Sequence, residues 1–569
     1  MRSMVEGIAA RDDLCGSPPP SGLAPCHLPV SVRIFWIEAE LSPRENVSRQ
    51  MTEICRIRHN LRHKHTGRGR NGTARSCPMK PRIRVLLLVT AALSGCTVGP
   101  DYRPAAPQAL GVPDTWSVPA ANAQAQDLTR WWRSFDDPLL AELVEQAVVA
   151  NTDVVQAIAR LRQARESLIQ SRASLLPNVS GSTGYQRNEN LRGGGRSFTL
   201  PDGTVVDTGG GGSNSFTVGL SASYQVGLFG EVRRTVEASR ATYEGAGFSY
   251  AATLLTVESE LARNYMLARA YQAQLANARA SLGLQDDNLE IAGFRVQAGL
   301  VSSLDAEQAR GQRAQTAATI PSIEQQYNAA VSRLGVLTGQ APGAVKARLA
   351  AVRPIPTGPA VIGTGIPADI LRRRPDVRAA ERNLAAATAR IGVAQAALYP
   401  ALAISGNINT AATSIGSLGD AITGSLFAGL TQAIFNGGRL RSQVRNAQAL
   451  ADQSYAAYQG TVLLALEDVE NAIVALNTAR ARAREFAIQL DAARNSAILA
   501  RSQYRSGLTD FTTLSQQEAA FLNAQNGLVQ ARSDAATAQV ALFAALGGGW
   551  DDTTTPEAPP RLATTPDNR

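Results

Sequence analysis

The chain has 569 residues and a formal net charge of +9, a balance that by itself would invite a nucleic acid or an anionic membrane as partner. The excess is confined to one end: residues 1–95 hold 15 Lys/Arg against 7 Asp/Glu, and the remainder holds 41 against 40, which removes the electrostatic case for nucleic acid. His27, His59, His63 and His65 and the cysteines Cys15, Cys26, Cys55 and Cys77 all precede residue 79, so the body of the chain keeps Cys96 as its one thiol and has no imidazole. It lacks the usual general base and soft metal ligands, and it is read as neither an enzyme nor a cofactor or metal protein.

In chain order, residues 1–78 are compositionally foreign and are read as a non-native extension; a metal-binding reading of them would have no Cys-x-x-Cys pair to rest on. Residues 79–95 read as a signal peptide. Met79-Lys-Pro-Arg-Ile-Arg84 is a positive n-region, and Val85 to Leu93 is an apolar stretch too short for the roughly 20 residues of a spanning helix. The closing Leu93-Ser-Gly-Cys96 resembles a bacterial lipobox. That resemblance implies N-palmitoyl and S-diacylglycerol modification of Cys96, and Thr97 stands where an Asp would favour retention at the inner membrane.

Residues 96–135, with Pro100, Pro104, Pro107, Pro113 and Pro119, are expected to form an extended tether from that lipid. Asp136-Asp-Pro138 starts a helix that should run to Pro177. Phe216, Val218, Leu220, Ala222, Tyr224 and Val226 then alternate strictly with small polar residues over eleven positions, the length and period of a transmembrane β-strand. A partner strand is placed around Val179 to Tyr185, and weaker versions at Leu402 to Ile408 and Leu426 to Leu430. An edge strand of a soluble sandwich is the alternative for a single strand. From about Val232 to Gly299, and again from about Arg439 to Gly507, there is no proline and an Ala-rich helical pattern; each run would span on the order of 100 Å as a helix. Shorter return helices are expected at Leu304 to Leu337 and Phe511 to Leu546, and a further helix at Asp376 to Leu398. The glycine runs Gly193–Gly195 and Gly209–Gly212 have no following Lys-Ser/Thr and open no helix, so they are read as external loops and not as phosphate cradles.

The second half restates the first. Ser174-Leu-Leu-Pro-Asn-Val-Ser-Gly181 is echoed by Ala397-Leu-Tyr-Pro-Ala-Leu-Ala-Ile-Ser405, and Leu228-Phe-Gly230 by Ile434-Phe-Asn-Gly-Gly438. The layout is therefore two repeats, 136–345 and 366–548, followed by a disordered tail at 549–569. Four strands cannot close a barrel, and an open edge in lipid leaves unpaired backbone groups that each cost several kcal/mol. The chain must oligomerise, and three copies would supply twelve strands. The fold class is thus an α+β membrane protein: a trimeric twelve-stranded β-barrel, four strands per chain, continuous with a long helical barrel.

Five segments resemble the outer membrane efflux proteins, specifically the TolC-like lipoprotein branch serving resistance-nodulation-division pumps. They are Cys96-Thr-Val-Gly-Pro-Asp-Tyr102, Trp131-Trp-Arg-Ser-Phe-Asp-Asp-Pro-Leu139, Ile366-Pro-Ala-Asp-Ile-Leu-Arg-Arg-Arg-Pro-Asp-Val-Arg378, Ala389-Arg-Ile-Gly-Val-Ala-Gln-Ala-Ala-Leu-Tyr-Pro400 and Phe435-Asn-Gly-Gly-Arg439. The resemblance implies a homotrimeric, lipid-anchored channel in the outer membrane of a Gram-negative bacterium, extending into the periplasm. Its implied partners are a periplasmic adaptor and an inner-membrane transporter, through which small molecules are passively exported. It also implies that the hairpin turns at Gly299-Leu300 and Gly507-Leu508 form the periplasmic tip and gate. By the same resemblance, relatives often carry an Asp constriction about nine residues after the second turn glycine; this chain has Gln516 there, a departure that argues against an acidic ring. Asp305 and Asp510 are the remaining acids near the tip, and each is also a candidate helix N-cap. An exit duct for type I protein secretion and a structural periplasmic coiled-coil lipoprotein are the alternatives.

Overall fold

The computed structural model describes residues 97–119, 128–189, 196–208 and 212–551. The N-terminal extension, the signal segment, Cys96, the glycine run at 193–195 and the tail from 552 lie outside these residues.

Helix α1 (Pro138–Ala150) is capped by Asp137, whose carboxylate accepts the amides of Leu139 and Leu140. The single helix expected up to Pro177 is in fact two. Asn151 leaves the helical conformation, accepts the amides of Asp153 and Val154 to start α2 (Thr152–Ala173), and donates its side-chain amide to the Leu337 carbonyl, so a buried polar group fixes the break. Strand β1 (Asn178–Asn188) follows, then a small hairpin of β2 (Arg196–Thr199) and β3 (Val205–Thr208), then β4 (Ser213–Val226). The chain continues as α3 (Glu231–Gln297) and returns as α4 (Ser303–Leu337). Pro321 sits inside α4 without ending it, removing one ladder hydrogen bond.

The second copy runs α5 (Pro375–Ala396), β5 (Ala401–Ala412), β6 (Ile422–Thr431), α6 (Arg439–Arg505) and α7 (Phe511–Ala545). The duplication is residue-exact in the backbone. Thr152–Ala173 recurs as Pro375–Ala396 and Asn178 as Ala401, a displacement of 223 residues; Glu231–Gln297 recurs as Arg439–Arg505 and Ser303–Leu337 as Phe511–Ala545, a displacement of 208. The difference is taken up by the longer loop that carries β2 and β3. Helices α3 and α6 have 67 residues each and α4 and α7 have 35 each. At about 1.5 Å per residue the long pair reaches about 100 Å. Gly230 and Gly438, both at φ 83°, make the strand-to-helix turn in each copy.

The four long strands form one antiparallel sheet in the order β1-β4-β5-β6, with β4 of the first repeat paired to β5 of the second. Such a sheet is not available to a coiled-coil lipoprotein. The main core lies where α1, α3, α4, α6 and α7 converge with the segments linking the repeats; Trp131, Phe135 and Phe543 pack there as an aromatic group, Trp131 stacked on Phe543 at 5.5 Å.

Two sequence expectations change at this level. Residues 97–119 are not a free tether: Leu110 and Val112 are buried in the main core, Val98 donates to the Phe229 carbonyl, and Tyr102 bonds Glu381. Arg234, buried on α3, donates to the carbonyls of Val98 and Gly99 and to Asp101. The tail expected from 549 begins later, because Gly549 donates to the Leu128 carbonyl and Trp550 to that of Arg373. Proline-rich composition excludes regular structure but does not prevent side chains from docking.

Candidate functional site

The sheet has two chemically distinct faces. Read across the registers, one carries Val179 and Tyr185 on β1, Phe216 to Val226 in alternation on β4, Leu402, Ile404 and Ile408 on β5, and Ile422, Leu426 and Leu430 on β6. The other carries Ser180, Ser221, Asn407 and Ser425 in one row, and Ser182, Gly219, Asn409 and Thr423 in the next. Those polar groups satisfy one another: the hydroxyls of Ser180 and Ser221 lie 2.8 Å apart and Ser425 donates to Asn407 at 2.6 Å. An apolar face with no covering layer, backed by a wettable wall of small side chains, suits lipid outside and water inside. Phe427 is the one aromatic on the polar face, and a side chain at Gly429 would collide with its ring.

At the far end of the long helices the two hairpins turn by the same device. Gly299 at φ 71° and Gly507 at φ 73° occupy the left-handed position after the helix end. Gly299 donates to Val296 and Leu300 to Arg295, while Gly507 donates to Tyr504 and Leu508 to Gln503, the paired bonds of a Schellman turn. The residue after the glycine normally packs on an apolar partner one turn back. Here those partners are Arg295 and Gln503, so Leu300 is left 69% exposed and Leu508 79% exposed, with Leu304 exposed beside them.

Beneath the turns lies a second, separate core of Ala292, Ala309, Ala500, Tyr504, Phe511 and Leu514. Arg295 stacks on the Tyr504 ring at 4.7 Å and donates to its carbonyl, joining the two hairpins. Asp510 caps α7, accepting the Thr513 amide at 2.7 Å, and hydrogen bonding from the Thr513 side chain and then its amide holds the carboxyl below the usual carboxylate range. Asp305 does not cap α4: Ser302 does, accepting the Leu304 amide, and Asp305 sits one turn in with its amide bonded to the Ser302 carbonyl. Gln516 is exposed. The acid of that turn is two residues on, and it is turned inward: Glu518, 7% exposed, accepts from Asn288 of α3 at 2.7 Å and from Arg501 of α6 at 2.9 Å. Sequence reasoning missed Glu518 because none of its partners is within hydrogen-bonding range along the chain. Arg501 lying on the opposite arm of the same hairpin was the one available signal.

Between sheet and tip, buried polar groups bind the linkers to α3. Arg269, fully buried, donates to Gln272, to the Ala351 carbonyl and to the Tyr265 hydroxyl, which donates to Asp137 at 2.6 Å; burial and that carboxylate push the Tyr265 phenol up. Glu258, 1% exposed beside Trp131 and Gly549, has its carboxyl raised well above the usual range by desolvation. One carboxylate oxygen and the neighbouring Trp131 indole nitrogen are buried without a hydrogen-bond partner.

No described helix is long and apolar enough to cross a membrane. A two-faced four-stranded sheet continuous with paired long helices defines a subunit of a channel-tunnel. The chain belongs to the outer membrane efflux protein family, whose model matches residues 143–340 and 366–548. It is 32% identical over 462 residues to Nodulation protein T of Rhizobium leguminosarum bv. trifolii, covering 81% of this chain and 96% of that one. It is 30% identical to the outer membrane protein OprJ of Pseudomonas aeruginosa, over 83% of this chain and 97% of that protein. Its fold superposes on the outer-membrane channel OprN with a TM-score of 0.71 at 32% identity, covering 80% of this chain and all of that one. The Campylobacter jejuni CmeC channel matches in fold, with a TM-score of 0.72 at 23% identity. The protein is an outer-membrane efflux channel of the trimeric TolC-like class, with an α+β subunit and four barrel strands per chain.

Proposed function

We propose that this channel is the passive exit duct of a tripartite pump, completed by a periplasmic adaptor and an inner-membrane resistance-nodulation-division transporter that supplies the energy. The observation that carries the reading is the tip: Leu300, Leu304 and Leu508 stand exposed on two hairpins braced by their own small core, an apolar docking surface on a rigid support. In this reading Gly299, Leu300, Gly507 and Leu508 form the adaptor-binding end, Asp305, Asp510 and Gln516 line or flank the gate, and a diacylglyceryl group on Cys96 holds the assembly in the outer membrane. Arg234 supports the anchor, because it ties Val98, Gly99 and Asp101 to the strand-to-helix junction and so brings residue 97 to the base of the sheet. Relatives named for pyoverdine export and for toluene efflux match 78% and 82% of this chain, so cargo choice is assigned to the transporter and adaptor.

The test is dye and antibiotic retention in the native host with the gene deleted and then restored as wild type, as Leu300→Ser with Leu508→Ser, or from Met79. Retention that rises on deletion and falls with the wild type and the Met79 form, but not with the leucine variant, supports the reading. Unchanged retention with loss of a secreted protein assigns the duct to type I secretion.

A further inference from the structure

A cavity of about 570 Å³ lies between α2, α3 and α5 beside Trp550, apart from both the strands and the hairpin tip, and its size suits a small ligand. Its charged lining is one-sided: Arg172, Arg240, Arg378 and Arg382 face a single acid, Glu244. That acid is already shared, since Arg240 pairs with it at 3.0 Å and Arg382 at 3.4 Å. Arg172 has no hydrogen-bond or ion-pair partner among the described residues. Arg382 donates to Glu381 through Nη2, but its Nε is buried without a partner.

The apolar wall is aromatic. Phe248 stands edge-on to Trp550 at 5.9 Å, and the Trp550 indole is held by the Arg373 carbonyl at 2.9 Å. Arg378 stacks on the Phe248 ring at 4.5 Å and donates to the Arg372 carbonyl at 3.1 Å, so ring and guanidinium are fixed before anything binds.

The duplication shows that the helices do not require this lining. At the backbone displacements of 223 and 208 residues, Arg172 corresponds to Gln395, Arg240 to Gln448, Tyr243 to Ala451 and Phe248 to Ala456. Arg378 and Arg382 correspond to Val155 and Ala159, so no arginine of the cluster recurs in the other repeat. Gly247, which leaves the cavity open, stands where the second repeat has Tyr455.

We infer that this cavity binds a small organic oxyanion, a carboxylate or phosphate carried on a flat apolar body, with Arg172, Arg240 and Arg382 meeting the charge and Phe248 and Trp550 the body. Guanidinium forks match both headgroups bidentately, and aromatic walls favour a ligand with apolar area over an inorganic ion. The site is independent of the adaptor and transporter assigned above.

The test is isothermal titration calorimetry on the intact full-chain channel in a non-ionic detergent. Phenyl phosphate and benzoate are the probes, and inorganic phosphate and phenol each lack one half of the ligand. Phenyl phosphate or benzoate should bind once per chain with a Kd below about 1 mM, and the tighter of the two identifies the headgroup. Inorganic phosphate and phenol should each bind at least about tenfold more weakly. Arg172→Gln with Arg240→Gln, which copies Gln395 and Gln448, should weaken the tighter probe by at least about tenfold. Phe248→Ala, which copies Ala456, should weaken it while leaving inorganic phosphate unchanged. Arg279→Gln with Arg333→Gln removes the same charge from exposed pairs with Glu324 and Glu260 and should change the Kd by less than about twofold.

Each variant is read only as an intact trimer, and the half-ligand probes test the site on the wild type alone. No saturable binding of either probe, or binding that the Arg172 and Arg240 variant leaves unchanged, overturns the site. Inorganic phosphate binding as tightly as phenyl phosphate overturns the aromatic wall, and phenol binding as tightly overturns the arginines.

Discussion

The two helical hairpins share a backbone and differ in chemistry. Each has a 67-residue arm, a 35-residue return and a Schellman turn at a glycine. Yet Phe511, Leu514 and Glu518 of the second occupy the positions of Ser303, Ala306 and Arg310 in the first, and Arg501 that of Gly293. The duplication preserved what sets length and turning point and released the side chains. The second hairpin therefore supplies most of the tip core and all of the buried charge pair, while the first supplies Asn288 and Arg295 to grip it. The same divergence occurs elsewhere: Glu258 of the first repeat stands where the second has Leu466, and Phe427 of the second where the first has Gly219.

The largest effect expected from this asymmetry is at Glu518. Glu518→Ala leaves Arg501 and Asn288 without their partner and should cost about 3 kcal/mol locally. Arg310→Ala, which removes the exposed pair with Glu307, should stay within about 0.5 kcal/mol. Hydrogen exchange over residues 500–520 would measure both, and equal effects would break the comparison.

Second is Glu258. Its folded carboxyl is raised, so folding disfavours the charged form and stability is lost as pH rises above the unfolded value near 4.3. Glu258→Gln, and more strongly Glu258→Leu in imitation of Leu466, should raise the unfolding temperature at pH 7 by at least about 2 °C. That gain should vanish below about pH 4; a loss at pH 7 would show that the carboxylate has a charged partner.

The two caps come third. Ser302→Ala should loosen the first turn by about 1 kcal/mol at any pH. Asp510 contributes through a depressed carboxyl, so its cap is present above the ordinary carboxylate pKa and fades as pH falls through the folded value. Acidification below about pH 4 should therefore raise exchange at Thr513 in wild type but not in Asp510→Ala, and leave the Leu304 amide unchanged.

The smallest effect is at Phe427. Phe427→Gly, which copies Gly219, should leave the trimer intact and raise single-channel conductance in planar bilayers by less than about twofold, since one ring per subunit covers a small part of a twelve-stranded wall. No change would place the ring flat against the wall, clear of the conducting path.

Much of the architecture was legible in the sequence. Glycines at both ends of the long helices, the absence of proline within them and strict alternation on β4 set those boundaries to within three residues of the structure. The break at Asn151 was not legible, because an Asn inside an Ala-rich run looks like a surface position until the Leu337 carbonyl is found beside it. Nor was the docking of residues 97–119, since prolines report on backbone geometry while Leu110 and Tyr102 find their partners hundreds of residues away.

By itself, then, the sequence determined the elements whose causes are local: helix length, turn glycines, strand period and the duplication that relates them. Tertiary structure alone decided that Gln516 faces solvent and Glu518 the wall, that Ser302 and not Asp305 caps its helix, and that Glu258 is buried with one carboxylate oxygen unpartnered. Each of those outcomes depends on which distant backbone reaches the same point. Burial and pairing belong to the meeting of segments and not to any one of them.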